Sequence, residues 1–324
     1  MSKQPVQARL LDALLSGIVL PPMPNHDYVL DQDEMFQHNA ALRQVLGGAT
    51  CVEATNVARF FDDSYVGDDF DSFWTDLKCL VPPHKKFFVE WEKPLIPNSR
   101  RMGMLFLACP PELAAETARM IIGEGAHSTP AKIAEFRQNP RCRWIYLTMD
   151  FLEFPFKNDG EHISGLRGPY HIGTISVAED GALLGFWMSH ASRNLPKQES
   201  MQVGAASLVA WTTLAMMNCA NIDTVEHKAP DAFQKARVKS GKKPLVAYHT
   251  VRVDLGQTPR QIAAESLPSA DGSTPRRHKK RGHMKDYRGG KGLFGRYKGV
   301  WYWGPTLAGS AEEGIIVSDY EVTP

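Results

Sequence analysis

The chain has 324 residues, of which 43% are hydrophobic and 23% charged. That is the composition of an ordinary globular protein with enough chain for one or two cores, and it excludes a coiled coil, a collagen, a disordered chain and a membrane bundle. Lys plus Arg number 37 and Asp plus Glu 36, giving a formal net charge of +1 that hides a strong asymmetry along the chain.

In chain order, residues 5–18 carry apolar positions at helical spacing behind Pro5, and 32–46 form a second helix candidate closed by Gly47 and Gly48. Asp62, Asp63, Asp68, Asp69 and Asp71 precede a third helix predicted over 71–80. They read as a solvated acidic cluster favoured by the helix dipole. An EF-hand does not fit, since Val66 and Phe73 stand where oxygen ligands belong. Strand patterns follow at 87–92 and 101–108, and a helix over 111–122 that opens with Pro and an acid and stops at Gly123. Strands are predicted at 143–154, 171–178 and 182–188, with Glu179-Asp180-Gly181 as the hairpin turn between the last two. Residues 200–218 form the most apolar helix, the core helix of the larger domain. A short basic helix over 231–240, an alternating strand over 245–254 and a long Pro/Ser/Gly/Gln-rich loop over 256–275 come next. The basic run 276–288, a Gly-rich turn 289–295, an aromatic strand 296–303 and a strand at 314–318 end the chain.

The asymmetry in charge is sharp. Residues 1–227 hold 19 Lys/Arg against 27 Asp/Glu, a net −8; residues 228–298 hold 18 against 5, a net +13; residues 299–324 hold 4 acids and no base. A block of +13 points to a polyanion or an acidic partner protein, unless it covers the acidic part of the same chain. The fold expected is α+β: a mixed acidic domain over 1–227 with helices and a sheet, and a basic, β-rich unit over 228–324. The five Cys lie 28 or more residues apart, which is neither a disulfide framework nor a zinc pattern, and they read as reduced thiols of a cytoplasm. The amino-terminal stretch lacks the features of a signal peptide, and the longest apolar run is too short and interrupted for a membrane span.

Residues 276–303 interleave cations with aromatic rings. Arg276, Arg277, Lys279, Lys280, Arg281, Lys285, Arg288, Lys291, Arg296 and Lys298 are the candidate phosphate contacts. Tyr287, Phe294, Tyr297, Trp301 and Trp303 are the candidate rings for stacking on unpaired bases, and Tyr287 and Tyr297 are chosen as site residues. Alternation puts Tyr302 on one face of its strand and the Trp301/Trp303 pair on the other. The larger apolar area of the pair predicts the two Trp inward and Tyr302 outward.

Other patterns carry less. Gly290-Lys291-Gly292-Leu293-Phe294-Gly295 matches G-x-G-x-x-G, but a strand-like run follows where a dinucleotide fold needs a helix, so it reads as a turn. Ser240-Gly241-Lys242-Lys243 lacks the rest of a P-loop, and Asp76-Leu77-Lys78 resembles the D-x-K half of a metal-dependent nuclease without the Pro-Asp half. His278 and His283, with Arg281 beside them and His249 as a further candidate, fit a metal-independent nuclease; Asp286 is the only acid near enough in sequence to orient either ring. No metal and no cofactor is expected.

The segments Lys235-Ala236-Arg237, Gly241-Lys242-Lys243-Pro244-Leu245, Tyr248-His249, His278 with Arg281-Gly282-His283, Gly292-Leu293-Phe294-Gly295 and Trp303-Gly304-Pro305 together resemble an uncharacterised protein family of tailed bacteriophages and prophages. The resemblance covers roughly residues 230–324. It implies a phage-encoded protein in the cytoplasm of a bacterial host, acting on nucleic acid or on a host protein, and carries no activity. The leading expectation is therefore a non-enzymatic nucleic-acid-binding protein, DNA or RNA, with no membrane partner. The alternatives are an interaction protein or inhibitor engaging a host protein complex, and the nuclease using His278 and His283.

Overall fold

The computed structural model describes residues 9–16, 40–58, 61, 74, 76–92, 101–122, 128–154, 165–167, 171–190, 197–253, 276–280, 282–293, 295–304, 306–308 and 310–315. The acidic run 62–71, the loop 256–275, Arg281 and Phe294 lie outside them. Helix α1 (Leu10–Leu15) is followed by a helical segment at 40–46, strand β1 (Thr50–Glu53) and the one-turn helix α2 (Thr55–Ala58). Strands β2 (Lys86–Glu92) and β3 (Arg101–Cys109) precede α3 (Pro111–Ile122) and α4 (Ser128–Arg137). Next come β4 (Cys142–Phe154), β5 (Gly165–Arg167), β6 (His171–Ala178), β7 (Leu183–His190) and the long helix α5 (Lys197–Met216). Then follow β8 (Ile222–His227), α6 (Asp231–Lys239), β9 (Tyr248–Val253), β10 (Arg276–Lys280), β11 (His283–Asp286), β12 (Val300–Trp303), β13 (Thr306–Ala308) and β14 (Ser310–Ile315).

The fold is α+β. The main sheet runs β7-β6-β4-β3-β2-β1-β9-β8, with β5 added beside β4. Strand β1 lies parallel to both neighbours, β2 and β9, and the other pairs are antiparallel. Central strands covered on both faces are mostly apolar. That is why β2 and β3 read as largely apolar runs, broken in β2 by the buried Glu90: Phe87 and Val89 enter one core, and Phe88 the other.

One face of the sheet lies under α5. Trp211 is the hub there, edge-on to Phe106 at 4.7 Å and to Trp74 at 5.6 Å, with Phe106 in turn stacked on Phe87 at 4.6 Å. Each such ring, fully removed from water, stabilises by roughly 1.5–3 kcal/mol. The other face is covered by α1, the 40–46 segment, α3 and α4. A six-residue helix such as α1 cannot hold itself together; it is held by what it packs on. Leu10, Leu11 and Leu14 are buried, and the Leu11 amide donates to the buried Glu90 carboxylate at 3.0 Å. Gly103 of β3 makes the close approach possible. A Cβ there would stand 2.3 Å from Phe88 Cζ and 2.9 Å from Leu10 Cδ2.

Three expectations change. Of the helix predicted over 71–80, only Trp74 and Asp76 are helical among the described residues, and 77–80 are irregular. The Leu80 amide donates instead to Gly181 O at 2.8 Å, and its carbonyl accepts the Tyr146 hydroxyl at 2.7 Å, so the segment bonds outward rather than to itself. Second, the boundary expected at 227/228 falls within the antiparallel β8–β9 pair. Strand β9 is a member of the main sheet, and the Val246 amide beside it donates to Asp12 of α1 at 3.0 Å. Third, the last aromatic strand is turned over: Tyr302 is 5% exposed and lies in the core, while Trp301 and Trp303 are half-buried on its outer side.

No helix among the described residues is long and apolar enough to cross a membrane. All five cysteines are free, four of them buried and Cys142 partly so.

Candidate nucleic-acid interface

Strands β11 and β12 form a two-stranded antiparallel ribbon outside the main sheet. The register pairs His283 with Trp303, Met284 with Tyr302, Lys285 with Trp301 and Asp286 with Val300. In an antiparallel pair, directly opposed residues share a face and successive ones alternate. Met284, Val300 and Tyr302 therefore point into the core that holds Trp211. His283, Lys285, Trp301 and Trp303 share the opposite face.

The ribbon is fastened along its inner side to the end of α5. The Ala220 amide donates to Val300 O at 2.7 Å. The Asn221 side chain both donates to Tyr302 O at 2.8 Å and accepts the Tyr302 amide at 2.9 Å. These paired backbone bonds set the phase of the strand, which its composition does not. Between the strands, the Tyr287 amide donates to Gly299 O, and a small loop closes at the Leu293–Tyr297 bridge. The glycines of the G-x-G-x-x-G match all have positive φ. At Gly292 a Cβ would fall 2.7 Å from Tyr297 O, so the pattern is the chemistry of a tight turn, as the sequence suggested.

The predicted cations divide. Lys285, Lys291, Arg296 and Lys298 are exposed, and Lys298 Nζ donates to Gly290 O within the loop. The Lys285 ammonium lies 5.1 Å from the Trp303 ring centre. Arg288 is turned onto the chain itself. Its Nε and Nη2 grip the Asp286 carboxylate, at 2.6 Å for the closest contact, and its fork also donates to the carbonyls of Asp180 and Lys78. The guanidinium holds Asp286 below its ordinary range. Arg288 is thereby a staple between the ribbon and two loops of the main domain. Arg276, Arg277, Lys279 and Lys280 run along β10, between β13 and β14 in a separate small sheet.

Of the rings, Tyr297 is 52% exposed and meets the Trp301 ring at 5.7 Å, and Tyr287 is half-buried. The two Trp that the sequence assigned to the core are thus partly open, and their signal was their neighbours: polar His283 and Lys285 at alternate positions on the facing strand.

The histidines do not share one strand pair. His278 belongs to β10, opposite Ala308, and His283 to β11, opposite Trp303. His249 lies in β9 with its ring 6.3 Å from that of His84, an arrangement in which burial and the second ring hold His84 below its ordinary range. Asp286, the acid available to orient a histidine, is engaged by Arg288. No group of three metal-binding side chains occurs among the described residues.

A second concavity was not foreseen from the sequence. An open groove of about 450 Å³ at the end of β1 is lined by Glu53, Asn56, Val225, His227, Thr250, Val251 and Arg252. Several of its polar groups are already engaged: Asn56 with Val251 O at 2.6 Å, His227 with Thr250 Oγ1 at 2.9 Å, and Glu53 with the Thr55 amide at 3.0 Å.

Comparisons of the chain with protein-family models, curated proteins and solved structures give no match.

Proposed function

We propose that the chain binds nucleic acid through its phosphate backbone, without chemical action on it, in the cytoplasm of a phage-infected bacterium. The observation that carries the reading is the ribbon at the end of the chain. Inside a 71-residue stretch of net charge +13, the ribbon and the loop that joins its strands offer Lys285, Lys291, Arg296 and Lys298 to solvent beside aromatic rings. Ammonium and guanidinium groups on the strand pair and its connecting loop neutralise phosphates and release their counterions, a gain indifferent to base sequence. The resemblance of residues 230–324 to a phage family supplies the cellular setting.

The test is fluorescence anisotropy of labelled single- and double-stranded DNA and RNA, with and without magnesium, at salt from about 50 to 200 mM. Four phosphate contacts give a log–log slope of about −3 to −4, steeper if the cations of β10 join them. Reversing Lys285 and Arg296 to Glu should flatten the slope and weaken every polymer alike. No binding at low salt overturns the proposal and directs the basic block to an acidic protein partner. Degraded probe moves the function to a nuclease, with His283→Ala as its first variant.

A further inference from the structure

We propose that the outer face of the β11–β12 ribbon is a stacking platform that takes an unpaired strand, so that the polymer bound is single-stranded. This rests on the nucleic-acid reading above and names its substrate class.

Four observations carry it. First, the register places Trp301 and Trp303 on one face with Lys285 and His283 directly opposite them, while the core takes Met284, Val300 and Tyr302. A strand meant only to cap a core would turn its two largest rings inward. This one turns them out and accepts partial exposure of both. Second, the Nε1 atoms of both indoles are buried. The part of each ring left to solvent is therefore carbon and π surface, suited to a planar partner and poorly suited to a hydrogen-bonding one. Third, Tyr297 extends the surface, with its ring 5.7 Å from Trp301 and more than half exposed. Fourth, the cations sit around these rings. Lys285 hovers over Trp303, and Arg296 and Lys298 flank Tyr297 in the chain. That is the pairing of planar faces with phosphate partners that single-strand grooves use.

The spacing argues against a duplex. Alternate residues on one strand stand about 7 Å apart. Nucleotides within a duplex follow one another at about 3.4 Å, with their faces already covered by each other. Rings at about twice that interval can meet only bases that have come apart. The bonds from Ala220 and Asn221 hold the ribbon in place beforehand, so binding orders the nucleic acid and not the protein.

The test compares an unstructured oligonucleotide with a hairpin duplex of the same length, and with heparin as a polyanion without bases. The full chain and its Trp301→Ala and Trp303→Ala variants are measured at one salt concentration. Each loss should raise the Kd for the single strand about 5- to 150-fold, and leave duplex and heparin binding unchanged. A second measurement covers the case in which a variant fails to fold. Binding should quench indole fluorescence in the native chain, and the double variant Trp301→Phe/Trp303→Phe, which keeps planar rings, should still bind but lose most of the quench. Single-strand affinity unmoved by either Ala variant, a quench unchanged in the Phe variant, or tighter binding of duplex than of single strand each overturns the platform and leaves phosphate-driven binding standing. Absence of binding to any nucleic acid by the native chain overturns both readings.

Discussion

At the scale of single residues, two buried carboxyl groups govern how stability responds to pH. Glu90 lies in β2 under α1; its carboxylate accepts the Leu11 amide and faces Arg9 at 3.8 Å. Burial outweighs these partners and raises its pKa from the ordinary 4.5 to about 7. A carboxyl raised on folding binds more protons in the native than in the unfolded state, so its stabilising contribution is complete below pH 4.5 and is lost as pH rises to about 7. The expected loss is about 3 kcal/mol at most, and Glu90→Gln should remove that slope from a series of urea midpoints taken across the window. Asp150, in β4 under the other face, is fully buried, has no hydrogen-bond partner among the described residues, and is raised in the same direction by desolvation alone. Asp150→Asn, which carries no charge to bury, should stabilise the protein at pH 8 by on the order of 1–3 kcal/mol and change it little at pH 4. A variant equally stabilising at both pH values would show that folding does not raise the Asp150 pKa.

At the scale of elements, the close fits are at α1 and the ribbon. Gly103→Ala should destabilise by about 1–3 kcal/mol, because the new methyl meets the buried Phe88 ring and Leu10 together and α1 must lift to admit it. A denaturant midpoint checks this, and an unchanged midpoint would mean that α1 contributes little to the fold. In the ribbon, Arg288→Ala removes the tie to Asp286, Asp180 O and Lys78 O. The expected result is a loss of about 1 kcal/mol and faster hydrogen exchange at the Tyr287 amide, with a smaller effect on nucleic-acid affinity than Lys285→Ala. Much of this level was legible in the sequence. The α3 bounds, Pro111–Ile122, and the β6 bounds, His171–Ala178, coincide with those read from pattern and end signals, and the turn at 179–181 with Gly181 at φ +82° follows from the residue type. Strand β1 was missed because four residues carry no period. Helix α4 was missed because STPAKIAEFR has few apolar positions and no stripe.

For the whole molecule, the chain's two charge blocks share one sheet. Strand β9 covers the edge of β1, and residues near it, Lys243 and Val246, bond to α1. A chain cut after residue 227 should therefore leave β1 as an open edge, loosen α1 and lose its cooperative thermal transition, as circular dichroism on heating would show. A truncated chain that melts cooperatively near the native Tm would establish that 1–227 is an independent domain. The sequence by itself determined many of the secondary elements, the α+β class and the placement of positive charge at 228–298, because periodicity, end signals and charge are local properties. Only the tertiary structure decided which cations stay open and which rings face outward. Arg288 and Lys285 read alike in the chain, and among the described residues one finds carboxylate and carbonyl partners while the other lies over the Trp303 ring. An alternating strand has two equivalent phases. Which one β12 takes was set by Asn221 and Ala220, some eighty residues away, whose bonds to Tyr302 and Val300 turn Tyr302 inward and leave Trp301 and Trp303 outside.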